Sequence, residues 1–380
     1  MNHLAHHIFD HTPETLGDWC EGVGMPRFRA DQILEWVYAK GVGDPEKMSN
    51  LSKLDRERLA GGMTFLSGQT LAHQVATDGV QKLLIQWTDE APDRASAGAL
   101  PVVAASPLGP DPSRQTECVM IPSEDRKTAC ISSQVGCPVG CKFCASGLGG
   151  LDANLSAGRI VEQVWRLRSL LGVDQRTGRL NRITNVVFMG MGEPLSNYDA
   201  VTHAIRTIAG LWGMAISARK ITISTVGLPK YIERLAQDFE LPVTLALSLH
   251  APNDEIRKQL IPWAEFTTIQ ALLAACQRWF EKTGREITLE YTLLRGVNDR
   301  PEHARQLGDL ARTLRANVNL IRYNEVGGLA FQRPRDDDVR EFQDILRSRH
   351  VNVHIRASRG RDIAAACGQL RHEAGGAPPR

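Results

Sequence analysis

Four of the eight cysteines fall within one short stretch, "CISSQVGCPVGCKFC", residues 130–144. Cys137, Cys141 and Cys144 form a C-x3-C-x2-C motif. Thiolates are the soft ligands that iron–sulfur clusters use, and three of them leave one iron of a four-iron cubane open to a substrate. A structural zinc site needs four ligands, and Cys130 could supply the fourth. The spacing alone therefore leaves two alternatives, an iron–sulfur cluster and a zinc site.

The elements that must position these cysteines alternate between strands and helices from about residue 130 onward. Ile160, Val164, Leu167 and Leu171 fall on one stripe of a predicted helix. The predicted strands are β-branched, largely apolar runs, as expected of parallel strands covered on both faces. They are "TACISSQ", "ITNVVFMG", "KITISTVG", "VTLALSLHA", "EITLEYTLL" and "VNLIRYNEV". Repeated strand–helix units of this kind predict an α/β fold with a parallel sheet or barrel.

Polar or glycine-rich residues follow five of these strands. The first strand runs into the cysteine loop, and the others are followed by "GMGEP", "STVG", "SLHAPND" and "YNEV". In a barrel of this class the carboxyl ends of the strands form the rim of the active site. We therefore expect these loops to meet around one site.

The first third of the chain has a different predicted secondary structure. Residues 25–61 predict short helices, with Asn50 or Ser52 as a cap. Residues 80–89 and 117–125 predict a hairpin that flanks an Ala-, Pro-, Ser- and Gly-rich insertion at about 91–116, which we expect to be flexible. These patterns divide the chain into an accessory domain (1–62), a hairpin region (63–122) and a core (123–370). The histidines at 3, 6, 7 and 11 predict a solvated, mobile tail more than a metal site.

Composition and charge narrow the function classes. The chain has 380 residues, of which 42% are hydrophobic and 23% charged, and its formal net charge is +2. These values are ordinary for a globular protein, and the charge neither demands nor excludes a nucleic acid. Eight cysteines are too few for a disulfide scaffold in a chain of this length. No signal peptide or membrane span is visible, which predicts a cytoplasmic protein without a membrane partner.

Longer stretches carry a family resemblance. "SSQVGCPVGCKFCASGLGG", "NVVFMGMGEPLSNYDAV", "LALSLHAPNDEIR" and "RASRGRDIAAACGQL" are similar to the RlmN/Cfr family of radical S-adenosylmethionine (SAM) RNA adenosine methyltransferases, and most to RlmN. The resemblance runs from about Pro26 to Leu370, outside the insertion. It implies a partial (β/α)6 TIM-like radical SAM barrel with a small N-terminal helical accessory domain.

The resemblance also implies the cofactors and where they bind. Cys137, Cys141 and Cys144 would hold a [4Fe–4S] cluster, and the amino and carboxylate groups of SAM would chelate its open iron. The remaining SAM contacts are polar groups that converge from several strand ends, as a zwitterion with a ribose requires. They would be Gly192, Glu193, Ser224, Ser248, Leu249, His250 and Asn324.

Two further cysteines and one glutamate are implied to be catalytic. Cys367 would take a methyl group from one SAM, and a 5′-deoxyadenosyl radical from a second SAM would remove a hydrogen from it. The methylene radical would then add to adenine, whose ring carbons are too poor as nucleophiles for ordinary methyl transfer. Cys130 would release the product by forming a disulfide with Cys367, and Glu117 would accept a proton. Cys20, Cys118 and Cys276 match no motif, and we expect packing roles for Cys118 and Cys276.

The implied reaction is methylation of carbon 2 of an adenosine in 23S rRNA, with tRNA next to the anticodon as a further candidate substrate. Alternatives are methylation of carbon 8, a radical SAM reaction on a substrate other than RNA, and a zinc-containing RNA-binding protein without catalysis. An external electron donor is implied, and we expect a monomer. Asp152 and Ala153 stand where relatives commonly have basic residues, which is unfavourable for phosphate. The candidate phosphate contacts are Arg27, Arg29, Lys53, Arg356, Arg359 and Arg361.

Overall fold

The computed structural model describes residues 5–88 and 111–370. Its first part is helical, and Ser52 caps the third helix by accepting a hydrogen bond from the Asp55 amide at 3.1 Å. This confirms one of the two predicted caps, since a serine oxygen there satisfies an amide that the helix itself leaves free. The three helices are α1 (Pro13–Gly22), α2 (Arg29–Leu34), which continues as a π-helical turn, and α3 (Lys53–Gly62).

Ten strands form one sheet with two open edges, in the order β1-β2-β3-β4-β7-β8-β9-β10-β11-β12. The first four are antiparallel neighbours, and those from β4 to β12 are parallel. The strands are β1 (Gly68–Val75), β2 (Gln81–Trp87), β3 (Gln115–Pro122), β4 (Lys127–Cys130), β7 (Asn185–Phe188), β8 (Ile221–Thr225), β9 (Thr244–Ser248), β10 (Ile287–Leu293), β11 (Ala316–Arg322) and β12 (Val353–Arg356). A separate hairpin pairs β5 (Gln134–Gly136) with β6 (Leu151–Asn154).

Helices follow the parallel strands, which confirms the predicted α/β fold with a parallel sheet. All six predicted strands are present as β4 and β7–β11, and β12 is a seventh parallel strand that was not predicted. On α4, Ile160, Val164 and Leu167 are fully buried as expected, whereas Leu171 follows the end of the helix. The helices are α4 (Ala157–Ser169), α5 (Tyr198–Ala209), α6 (Pro229–Asp238), α7 (Asp254–Leu260), α8 (Ile269–Thr283), α9 (Pro301–Arg312) and α10 (Asp336–Ser348).

The predicted hairpin is present as the antiparallel pair β2 and β3. Residues 91–110 of the predicted insertion lie outside the described part of the chain. Residues 111–116 form a 3-10 turn and the start of β3. The hairpin strands belong to the same sheet as the core, and the predicted boundaries after residues 62 and 122 stay predictions. Within the described ranges, no helix combines the length and the apolar character that crossing a bilayer would require.

The expectation of a solvated histidine tail is wrong for His7. This side chain is buried, and its Nε2 lies 3.1 Å from a carboxylate oxygen of Glu162 on α4. The same carboxylate accepts hydrogen bonds from the amide of Ser67 at 2.8 Å and from Nε of Arg166 at 2.8 Å. The start of the chain is therefore anchored to the helix that follows the cysteine loop.

Candidate active site

The cysteine loop begins where β5 ends, and backbone contacts fix its shape. Gly136 has a φ of +74°, and a Cβ at this position would lie 2.0 Å from the carbonyl oxygen of Gly150. Only glycine fits there. The Cys137 amide donates to that same carbonyl at 2.7 Å, and the Lys142 amide donates to the Leu260 carbonyl at 2.9 Å. The loop is thus held at the first cysteine of the motif and again just after the second, Cys141.

The three motif cysteines line one cavity at the carboxyl ends of the parallel strands. Burial raises the pKa of Cys137 to about 12 and also raises the pKa values of Cys141 and Cys144. The nearby thiolates add to the effect at each of the three. Three partly buried thiols that resist ionisation on their own fit a site in which metal ions replace the protons.

The geometry favours a cluster over the zinc alternative. Within residues 5–88 and 111–370, no three His, Cys, Asp or Glu side chains converge closely enough to hold a single metal ion. A zinc site requires ligands about 2.3 Å from one centre, whereas a four-iron cluster holds its ligand sulfurs farther apart. Cys130, the fourth ligand that zinc would need, lies outside the cavity lining and next to Cys367 instead.

The "GMGEP" loop packs tightly against the residues before the cysteine loop. Gly192 has a φ of +102°, and a Cβ there would lie 2.7 Å from both the Ser133 hydroxyl and the Cβ of Gln134. Glu193 follows it, and its two carboxylate oxygens accept hydrogen bonds from the amides of Leu195 at 3.0 Å and Val226 at 2.8 Å. Burial raises the pKa of Glu193 to about 7 despite these bonds.

Three more of the predicted SAM contacts line the same cavity: Ser224, Ser248 and His250. The two serine hydroxyls lie 3.1 Å apart, at the ends of β8 and β9. His250 adopts a φ of +56°, and its Nδ1 accepts a hydrogen bond from the amide of Thr292 at 3.1 Å. Burial lowers the pKa of His250 to about 3, so the ring is neutral. These groups offer hydroxyl and imidazole partners on one wall.

Leu249 and Asn324 do not line the cavity. The Leu249 side chain is fully buried in the main hydrophobic core, so a contact with SAM could involve only its backbone. Asn324 instead holds a neighbouring segment, since its Nδ2 donates to the carbonyl oxygen of Cys367 at 3.2 Å.

Cys367 itself lines the cavity with the three motif cysteines. Its segment is fastened to the cysteine loop, because the Ala145 amide donates to the Gly368 carbonyl at 2.8 Å and the Ser146 hydroxyl donates to the Leu370 carbonyl at 2.7 Å. The fold therefore brings a cysteine from the C-terminal part of the chain to the place where the cluster cysteines meet.

The turn between β1 and β2 holds the same C-terminal segment from the other side. The Thr77 amide donates to the Asp362 carboxylate at 2.8 Å, and the Gly360 amide donates to the Asp78 carboxylate at 3.0 Å. Each side of this contact thus supplies one carboxylate and one amide. We call this reciprocal pair of bonds the clasp.

Cys130 and Glu117 are not among the residues that line the cavity. Cys130 ends β4, and burial first, then the nearby Cys367 thiolate, raise its pKa to about 12. Glu117 on β3 is buried, and one of its carboxylate oxygens lies 2.7 Å from Nζ of Lys82. The expected disulfide is not supported, because all eight cysteines are free thiols. Cys20, Cys118 and Cys276 are buried in the main core, in agreement with packing roles.

Two parts of the chain match known protein families. Residues 131–307 match the radical SAM superfamily, and residues 6–64 match the ribosomal RNA large subunit methyltransferase N-terminal domain. A probable dual-specificity RNA methyltransferase RlmN from Thermosynechococcus vestitus is 43% identical, over 94% of this chain and 95% of its own length. The dual-specificity RNA methyltransferase RlmN from Syntrophobacter fumaroxidans is 41% identical, over 97% and 98%.

The chain belongs to the RlmN family of radical SAM proteins. A solved structure agrees with the fold. The crystal structure of a radical SAM methyltransferase from Sphaerobacter thermophilus is 39% identical, has a TM-score of 0.86, and matches 97% of this chain and 100% of its own. The cofactors of the radical SAM family are a [4Fe–4S] cluster and SAM, as the sequence resemblance implied.

The cavity lining of this RlmN-family protein includes two charged residues that were not predicted to lie there. Glu290 on β10 is 3% exposed, and its Oε1 accepts a hydrogen bond from Asn319 at 3.1 Å while its Oε2 has no hydrogen-bond partner. Arg356, predicted to contact phosphate, lines the cavity instead. The Cys367 thiolate, with help from Glu290 and Cys130, outweighs burial and raises the pKa of its guanidinium. Arg356 is the first residue of the "RASRGRDIAAACGQL" stretch, whereas Glu290 lies inside a predicted strand.

The other predicted phosphate contacts have protein partners. Arg27 pairs with Asp18 and Glu21, and Arg29 pairs with Asp55 at 3.2 Å. Lys53 is largely exposed and only 3.9 Å from Glu57, and Arg359 donates to the Asp78 carbonyl at 3.5 Å. Arg361 is exposed, as is Asp152 on β6. The RNA contacts of these residues stay predictions.

Proposed function

We propose that this RlmN-family protein methylates carbon 2 of an adenosine in 23S rRNA, and in tRNA next to the anticodon. The observation that carries the proposal is the position of Cys367, which lines the same cavity as Cys137, Cys141 and Cys144. The names of the relatives, dual-specificity RNA methyltransferases, support RNA as the substrate. The expected activity is therefore that of a methyltransferase with a protein thiol as the methyl carrier.

The cavity divides into binding groups with distinct partners. Cys137, Cys141 and Cys144 would hold the cluster, and Glu193 would meet the amino group of SAM. Ser224 and Ser248, whose hydroxyls lie 3.1 Å apart, suit the two hydroxyls of a ribose. Cluster and SAM together supply, when bound, the electron and the 5′-deoxyadenosyl radical that removes a hydrogen atom from a methyl group. An external protein has to deliver that electron.

The thiols of the chain carry the methyl group and release the product. The Cys367 sulfur attacks the methyl group of one SAM molecule, which leaves as S-adenosylhomocysteine. After hydrogen removal, the carbon on this sulfur bonds to ring carbon 2 of adenine, so that protein and RNA are joined. Glu117 takes the proton from that ring carbon. Cys130 then attacks the sulfur of Cys367. The bond between that sulfur and the new carbon breaks as the two sulfurs bond, the carbon takes up the proton that the Cys130 thiol loses and so becomes the methyl group of the RNA, and the unpaired electron of the adduct leaves to an external one-electron acceptor.

The test begins with anaerobically prepared protein that contains its iron and has been incubated with SAM labelled on the methyl group. Peptide mass spectrometry should find one labelled methyl on Cys367, and nucleoside analysis of treated 23S rRNA and tRNA should find 2-methyladenosine. Cys367→Ser should abolish both signals. Cys276→Ser, at a buried cysteine that does not line the cavity, should change neither.

Other outcomes would redirect the proposal. Production of 8-methyladenosine would assign the reaction to the other ring carbon. An unlabelled Cys367 in protein that holds iron and SAM would refute the carrier mechanism and point to a substrate other than RNA. Zinc in place of iron would refute the radical reaction altogether.

A further inference from the structure

Lys82 is a buried lysine that none of the roles above uses. It lies on β2, and its side chain reaches Glu117 on β3 with 2.7 Å between Nζ and the carboxylate oxygen. Lys82 and Glu117 are each 7% exposed. Lysine and glutamate are rarely buried to this extent unless they are paired, because desolvating either charge alone is costly. Lys82 and Glu117 are therefore buried as an ion pair, in which each charge compensates the other.

The strand register explains how the two side chains meet. Lys82 lies opposite Val119, and Glu117 lies opposite Leu84. Residues two apart on a strand share a face of the sheet, so Lys82 and Glu117 are diagonal neighbours on one face. Val119 in turn lies opposite Cys130 on β4. Lys82, Glu117 and Cys130 thus share the face that carries the catalytic groups.

A second contact of Lys82 leads to the methyl carrier. Its Nζ donates to the carbonyl oxygen of Ala364 at 3.3 Å, three residues before Cys367. Val119, Cys130 and Ala365 belong to one small apolar cluster beside this contact. One ammonium group therefore contacts both the strand that carries Glu117 and the segment that carries Cys367.

We propose that Lys82 is a positioning residue that holds the Glu117 carboxylate in place to accept the proton from the adenine ring. The proposal rests on the function proposed above. Once the carbon on the Cys367 sulfur has bonded to ring carbon 2, that carbon still bears its hydrogen. The hydrogen leaves as a proton to Glu117, which becomes a carboxylic acid. The electron pair of the broken C–H bond stays in the ring, and the unpaired electron stays on the adduct.

The contact with Ala364 defines a rival role, in which Lys82 only anchors the Cys367 segment. The two roles affect different half-reactions. Loss of an anchor slows methylation of Cys367, which requires no RNA. Loss of the positioning role leaves that methylation intact and slows the steps after the carbon has bonded to RNA.

The experiment compares iron-loaded wild type with Lys82→Met, Lys82→Arg and Glu117→Gln. Lys82→Met should methylate Cys367 at about the wild-type rate but form methylated RNA about 30-fold more slowly or worse, because a general base contributes on the order of 10²–10⁴-fold. RNA deuterated at adenine carbon 2 should react more slowly than unlabelled RNA in this variant, since proton removal becomes rate-limiting. Lys82→Arg, which keeps a cation, should recover most of the activity.

Two controls separate positioning from folding. Lys127→Met replaces another lysine of the same sheet, opposite Pro122 and away from Glu117, and should leave both half-reactions unchanged. Lys82→Met should add no further loss in a Glu117→Gln background, because the two residues act as one unit. If Lys82→Met does not fold, the double variant Lys82→Met/Glu117→Met, with both charges removed, replaces it and should be as slow as Glu117→Gln.

Three results would overturn the proposal. They are slowed methylation of Cys367 with normal RNA steps, additive losses in the double variant, and absence of a deuterium effect in Lys82→Met. Failure of the proposed function is recognised separately, since wild-type protein would then yield no 2-methyladenosine at all and both proposals would fall together.

Discussion

Glu162 and Glu193 are both buried glutamates that accept several hydrogen bonds, but their charge environments differ. Burial alone would raise the pKa of Glu162, yet the Arg166 charge and the His7 hydrogen bond outweigh it and lower the pKa to about 2. At Glu193, burial dominates over hydrogen bonds from neutral groups and raises the pKa to about 7. No cation of the described chain contributes to the shift at Glu193.

The difference separates structure from function. The charge of Glu162 is compensated within the chain, by residues that join the N-terminal helices to α4. The charge of Glu193 is not compensated within the chain, and it borders the cavity where an ammonium group of SAM is proposed to bind. A buried carboxylate without a cation is costly, so the ligand would supply the missing charge. Proteins rarely keep a buried, uncompensated charge except at a site where a ligand supplies the opposite charge.

The largest expected effect is on stability, at Glu162. Glu162→Gln leaves the buried Arg166 guanidinium without its counter-charge, which costs about 3–5 kcal/mol when a buried pair is broken. Guanidinium denaturation at pH 7.5 measures this loss. A stability loss below about 1 kcal/mol is that of a surface ion pair. It would contradict the structural role of the pair between Glu162 and Arg166.

The two glutamates should also respond to pH in opposite directions. Glu162 binds its proton less readily in the folded state, so its contribution of about 3 kcal/mol, at 1.36 kcal/mol per pKa unit, is lost as the pH falls from about 4.5 to about 2. Glu193 binds its proton more readily when folded. Its cost, also about 3 kcal/mol, appears as the pH rises from about 4.5 through about 7.

Denaturation curves for each Glu→Gln variant and wild type across this range test both signs. The difference between wild type and Glu162→Gln should shrink below pH 4.5. Wild type should lose stability relative to Glu193→Gln between pH 5 and 8. A stability difference for Glu193→Gln that stays constant with pH would contradict the raised pKa of this carboxyl.

A smaller effect is expected on ligand binding at Glu193. Glu193→Gln removes the negative charge proposed to meet the SAM amino group, and a charged hydrogen bond of about 1.5–3 kcal/mol corresponds to roughly a 10- to 100-fold weaker affinity. Calorimetric titration of the iron-loaded protein with SAM measures it. Glu162→Gln, wherever it remains folded, should bind SAM as wild type does. Equal losses of SAM affinity in Glu193→Gln and Glu162→Gln would contradict a binding role that belongs to Glu193 and not to Glu162.

The smallest effect is expected at an exposed glutamate. Glu240 pairs with Arg206 at 2.8 Å, and both side chains are about half exposed to solvent. Solvent screens such pairs, so Glu240→Gln should cost less than about 1 kcal/mol and lose even that in high salt. Denaturation at low and high ionic strength provides the check, and a salt-independent loss would argue against simple screening.

Local patterns predicted much of the fold. Apolar, β-branched runs marked β4 and β7–β11, because parallel strands are covered on both faces. The strand β12 was missed because its four residues, which include His354 and Arg356, are too short and too polar to form such a run. His7 was misjudged for a related reason, since its partner Glu162 is 155 residues away and nothing near His7 indicates burial.

Local sequence patterns also identified only part of the candidate site. Motif spacing and family resemblance pointed to residues that the structure does bring together, among them Cys137, Glu193 and Cys367. Lys82 could not be found in this way, because its role depends on strand register and on contacts between distant segments, and a single lysine in a strand carries no local signal. Arg356 begins the "RASRGRDIAAACGQL" stretch but was predicted to contact phosphate, not to line the cavity. Leu249 matches a motif, but the strand turns its side chain into the core.

The clasp between the β1–β2 turn and the Asp362 segment has a consequence for the order of assembly. Protein synthesis runs from the N-terminus at about 5–20 residues per second, so the cluster cysteines leave the ribosome well before Cys367. The turn with Thr77 and Asp78 is then already made, and it waits for Gly360 and Asp362. Cys367, the thiol proposed to carry the methyl group, joins the cavity after the motif cysteines. A nascent chain thus exposes its proposed cluster-binding loop before the proposed methyl carrier has been made.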